Sequence, residues 1–83
     1  MTVMQQVLEM LDEVLSLGGR AAAFNRDTPL LGALPELDSM AVVALIGAME
    51  ERFGFAVDDD DIDGQTFATV GALVDFCAAR MAG

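Results

Sequence analysis

A chain of 83 residues with one cysteine, no histidine and a formal net charge of −10 leaves few kinds of function open. A lone cysteine forbids an intrachain disulfide, absence of histidine rules out Ser-His catalysis, and with no histidine and one cysteine a structural zinc site is not credible. Fourteen acidic residues against four arginines repel nucleic-acid phosphates and anionic membranes and attract basic partners, although the same charge also serves solubility.

The length suits one domain, 1–83, and a hydrophobic content of 54% can fill its core without disulfides. The longest apolar run, Met40 to Met49, is too short to span a bilayer, and no basic stretch precedes an apolar one at the N-terminus. The expectation is a monomer in the cytoplasm, with no membrane insertion and no nucleic-acid partner.

In chain order, Met4, Val7, Leu8, Leu11, Val14 and Leu15 share one helix face. Thr2 and Gln5 form a capping-box pair, and Gly18-Gly19 supplies a stop, so the first helix is predicted over Val3 to Leu17. Residues 19–37 hold Gly, Asn, Asp-Thr-Pro and a second Pro without a sustained period. They read as a long ordered loop, anchored by Phe24, Leu30, Leu31 and Leu34.

A second helix follows from Ser39 to Phe53, with Asp38 as its N-cap and Gly54 as its stop. Phe55-Ala56-Val57 is a short extended link, and residues 58–65 a turn or one short helix. Thr69 caps a last helix that carries Val70, Leu73, Val74, Cys77 and Met81 at helical spacing. The fold class is all-α: a four-helix bundle with three main helices, one short helix and a long first loop. Val7, Leu11, Leu45, Ile46, Met49, Phe53, Val70 and Leu73 are the predicted core.

Leu37-Asp38-Ser39-Met40, at the junction of the long loop and an apolar helix, carries the chemistry. A serine in the first helical turn presents its hydroxyl outward. A phosphodiester placed there would sit beside free backbone N–H groups and the positive end of the helix dipole. No histidine, lysine or paired nucleophile activates Ser39, so another enzyme must supply the chemistry and no catalytic residue is expected. Asp38 and Ser39 are also ordinary capping residues, and the motif by itself does not separate the two readings.

With its surroundings, the motif resembles the acyl carrier protein family, whose hallmark is Asp-Ser-Leu/Met opening the second helix. The resemblance includes Leu30-Leu31-Gly32 upstream, Glu50-Glu51-Arg52-Phe53 at the end of the second helix and Thr69-Val70 at the start of the last. It implies that Ser39 receives 4′-phosphopantetheine from coenzyme A and that Asp38 helps hold the Mg²⁺ of the phosphopantetheinyl transferase. The other implied partners are acyl-loading and acyl-transferring enzymes with basic docking patches. Of the usual acidic docking positions only Glu50 and Glu51 are acidic, and Ala41, Ala44 and Gly47 add no charge. The expected docking residues are therefore Met40, Val43, Gly47, Glu50 and Glu51, although the alanines have an equally good reading as packing against the loop. Pro35-Glu36-Leu37-Asp38-Ser39-Met40 resembles carriers of exosortase and exopolysaccharide clusters, which points to a specialised pathway.

Two other readings share parts of this pattern. A peptidyl or aminoacyl carrier has the same fold and arm, and an unmodified acidic helical interaction module with weak calcium binding needs neither. Asp59, Asp61, Asp63 and Gly64 match the front of a calcium loop, but Val70 stands where its bidentate Glu belongs, so no metal site is assigned. Cys77, on an apolar helix face, is expected to be a buried structural thiol.

Overall fold

The computed structural model describes residues 2–58, 62 and 64–82. Helix α1 spans Val3–Leu15, α2 spans Ser39–Phe53 and α3 spans Val70–Ala82, with a 3₁₀ helix at Arg20–Ala23 in the first long loop. The bundle is all-α, and no strand occurs among the described residues. The predicted short helix over 58–65 rests largely on residues outside that set, whereas residues 64–68 form turns. Asp59, Asp61 and Asp63 also lie outside it.

Helix α1 begins as expected, with the Thr2 hydroxyl accepting from Gln5 N and the Gln5 side chain accepting from Thr2 N. It stops two residues earlier than predicted. Ser16 adopts the left-handed conformation at φ 54°, and the N–H groups of Ser16 and Leu17 both donate to the Asp12 carbonyl. That turn buries Leu17 instead of carrying it past the bundle. The Asp12 carboxylate then accepts from Gly19 N and Ala21 N, which seeds the 3₁₀ turn that residue periodicity did not reveal.

The loop next straps itself across the start of α3. Val70 N donates to Thr28 O and Leu30 N to Ala68 O, Leu31 N donates to Phe67 O, and Pro29, which has no N–H, pairs opposite Thr69. Gly71 N donates to Arg26 O at 2.9 Å, and a Cβ on Gly71 would meet that oxygen at 3.0 Å. Side chains alternate along this extended piece, so Leu30 is wholly buried while Leu31 is exposed. Leu31 is therefore not the anchor it was expected to be.

Of the predicted core, Val7, Leu11, Leu45, Met49, Val70 and Leu73 are fully buried. Ile46 and Phe53 are only half-buried: Ile46 lies beside the stripe of Leu45 and Met49, and Phe53 continues that stripe but is the last residue of α2. Phe53 stacks on Phe55 with ring centroids 5.9 Å apart, and Phe55 meets Phe76 edge-on at 6.5 Å. Met10, Leu15, Ala21, Leu37, Phe67, Val74 and Cys77 are buried with them.

Helices α1 and α2 are further joined by Arg52, which pairs with Glu9 and Glu13 at 3.3 Å each. Pairs this exposed are worth about 0–1 kcal/mol, so they adjust the helix pairing rather than hold it.

Candidate functional site

The sequence contains two serines, and each lies at a helix end. Ser16 terminates α1, where the unsatisfied carbonyls gather and the helix dipole is negative. Ser39 opens α2, where backbone N–H groups lack intrahelical partners and the dipole is positive. A phosphate ester is repelled at the first position and stabilised at the second.

Asp38 sits in extended conformation before α2, and its carboxylate accepts from Ala41 N at 2.8 Å. Its carbonyl accepts from Val42 N at 3.0 Å, which completes the first turn. Those two bonds fix the backbone around Ser39 and leave the N–H groups of Ser39 and Met40 facing outward. Ser39 is exposed, and among the described residues its hydroxyl has no hydrogen-bond partner. Immediately upstream, Leu37 is buried and donates its N–H to Leu34 O, so the segment enters the helix from an anchored point.

The exposed side of α2 is apolar. Met40 is 77% exposed and Val43 66%, with Ala44, Gly47 and Glu51 exposed beside them. Steps of three and four residues align 40, 43, 47 and 51 along one face that begins next to Ser39. Glu50 differs from Glu51. It is half-buried, and its carboxylate accepts from Val57 N at 2.8 Å, tying the extended link back to the helix. Ala41 is half-buried against the core, as packing of the alanines against the interior requires, whereas Ala44 faces solvent.

All four arginines are engaged within the chain. Arg20 pairs with Glu36, Arg26 with Asp75 and Arg52 with Glu9 and Glu13, while Arg80 lies over the Phe76 ring. The Arg20–Glu36 pair, three residues before Ser39, is a feature that sequence reading missed. The partners are 16 residues apart, and no periodic signal connects them. The Arg20 hydrogen bond holds the Glu36 carboxyl below its ordinary value of 4.5.

Cys77 is fully buried, its Sγ 3.7 Å from Met49 Sδ in the seam between α2 and α3. Burial pushes its thiol up to about 11. It is the inert structural thiol that its helix face indicates. Among the described residues no cluster of metal-binding side chains occurs, and no helix is long and apolar enough to cross a membrane.

Comparisons with known proteins bear directly on this geometry. Residues 5–77 match the phosphopantetheine attachment site family. The solution NMR structure of a holo acyl carrier protein from Nitrosomonas europaea superposes with a TM-score of 0.92, at 46% identity over 100% of both chains. The chain belongs to the acyl carrier protein family. A comparison with curated proteins returned no match.

The prosthetic group of this carrier is 4′-phosphopantetheine, whose terminal thiol holds cargo as a thioester. The start of α2 fits such a group, with an exposed, unbonded hydroxyl beside unpaired helix N–H groups. Family membership also implies a phosphopantetheinyl transferase and acyl-handling enzymes as partners, and a carrier's role rather than a catalyst's.

Proposed function

We propose that Ser39 is the attachment residue and that the apolar face of α2 beside it is the surface on which partner enzymes dock. The contrast between the two serines supports the first part, since only Ser39 combines an exposed hydroxyl with the positive end of a helix. Asp38 serves twice. It holds the turn by capping Ala41, and its second carboxylate oxygen is available to the transferase's Mg²⁺.

Gly47 supports the second part. It lies in the interior of α2 with no atom within 4 Å of where a Cβ would stand. A helix-interior glycine costs about 1 kcal/mol relative to alanine, and nothing inside this molecule requires one. Close approach of a partner's backbone does require it. Met40 and Val43 supply apolar area on the same face, and Glu51 supplies the free carboxylate at its far end. Glu50 contributes less, because Val57 N occupies one of its oxygens. Docking in this carrier is thus carried by apolar fit around Gly47, with one charge contact at Glu51.

Such a surface suits partners of a dedicated pathway better than partners that grip a row of acids, and an acyl thioester in the cytoplasm is the cargo and setting that fit best. Cargo sheltering between α2 and α3 must part Leu45, Met49, Leu73 and Cys77, which are closed to solvent. The buried Cys77 keeps the carrier chemically simple, because the chain's one thiol is closed to a bound thioester.

Incubation with coenzyme A, Mg²⁺ and a broad-range phosphopantetheinyl transferase tests the attachment residue. Intact-mass analysis is expected to show one added arm on the wild type and none on Ser39→Ala. An arm on Ser39→Ala overturns the assignment.

A further inference from the structure

The middle of the long loop is fastened to the start of α3 and the turn before it by four backbone hydrogen bonds, but the end that leads into α2 and presents Ser39 is fastened by other means. Leu37 is buried, and between the loop's turns and Asp38 a single charged side chain reaches back across the chain. Glu36 accepts from Arg20 Nη2, and Arg20 Nε donates to Leu17 O at 3.1 Å. Arg20 is itself held on both sides, because the Asp12 carboxylate accepts from Gly19 N at 2.9 Å and from Ala21 N at 3.2 Å. A continuous set of bonds therefore runs from α1 through Asp12, the 3₁₀ turn, Arg20 and Glu36 to the residue pair before Asp38.

The pair is unusual for a surface ion pair in one respect. Glu36 Oε1 is buried without a hydrogen-bond partner, although the side chains of Arg20 and Glu36 remain 55% and 31% exposed. The other oxygen, Oε2, is the one that Arg20 holds. Pairs of this exposure contribute little to global stability. A device that contributes little to stability yet fixes the backbone three residues from Ser39 acts on presentation.

We propose that Arg20 and Glu36 are positioning residues that latch the Pro35–Asp38 segment to the end of α1 and so hold Ser39 ready for the transferase. This inference rests on the reading of Ser39 as the attachment residue. Opening the latch lets the segment sample other conformations. The apparent affinity for the transferase then falls in proportion to the fraction of chains still presenting Ser39, while turnover of the bound complex is unchanged. The signature is a raised KM at constant kcat.

The test is steady-state arm addition by one transferase, with coenzyme A saturating and the carrier varied. The variants are Arg20→Glu, Glu36→Arg and the double swap R20E/E36R. Each single reversal is expected to raise KM roughly 3–10-fold with kcat within about twofold, and the swap to return KM to within about threefold of wild type. The direction separates a latch from long-range attraction, because Arg20→Glu makes the carrier more acidic and Glu36→Arg less so. Attraction to a basic transferase would lower KM for the first and raise it for the second. Opposite effects of that kind overturn the latch, as do unaltered KM values or a swap no better than the single variants. Absence of arm addition to the wild type overturns the attachment reading and the latch with it, whereas normal wild-type addition with unaltered variants overturns the latch alone.

Discussion

The two faces of α2 have nearly the same composition and opposite roles. Inward, Leu45 and Met49 are wholly buried against α1 and α3. Outward, Met40 and Val43 are as apolar but stand 77% and 66% exposed, next to the exposed Ser39. The inner face stabilises the bundle, and the outer face is the one proposed to meet partner enzymes. Under that proposal the exposed apolar area beside Ser39 is covered for part of the carrier's cycle.

Substitutions that separate the faces should therefore give opposite patterns. Leu45→Ala removes buried methyl groups and is expected to lower stability by about 2–5 kcal/mol, a large share of what so short a chain has, as read from urea unfolding. The sulfur seam behind the same face has a pH signature. The native Cys77 thiol ionises near 11 against an ordinary 9.0, so between those values the unfolded chain has lost a proton that the native one keeps. Stability is then full below pH 9 and declines by up to about 2–3 kcal/mol as pH rises through that window, a decline that Cys77→Ala should remove.

On the outer face the signs change. Gly47→Ala places a methyl group in open space, so it is expected to stabilise α2 by about 0.5–1 kcal/mol in thermal unfolding. The same change should weaken docking, seen as slower arm addition or slower cargo loading. Stabilisation without loss of docking would remove glycine from the interface. Val43→Thr should leave stability within about 0.5 kcal/mol and still slow partner-dependent steps.

Much of this was legible in the sequence where local chemistry dictates structure. Thr2 with Gln5, Asp38 and Thr69 are caps whose partners lie three residues away, and all three act as their spacing requires, Thr69 accepting from Ala72 N at 3.1 Å. The bounds of α2 follow from Asp38 and Gly54 in the same way. What was not legible is tertiary. Residues 40–49 are apolar throughout, so periodicity cannot rank the faces of α2, and Ile46 and Phe53 lie nearer the surface than their apolar character suggests. An apolar side chain in a loop gives no hint that Leu30, and not its neighbour Leu31, takes the inward position. The Arg20–Glu36 pair and the strap over Gly71 join residues too far apart for any local pattern to connect.

Site localisation of the arm by tandem mass spectrometry of the digested, transferase-treated wild type tests the central claim most directly. The account predicts the phosphopantetheine fragment on the peptide bearing Ser39 and none on the peptide bearing Ser16. Modification at Ser16, or a wild type left unmodified by several active transferases, would contradict it.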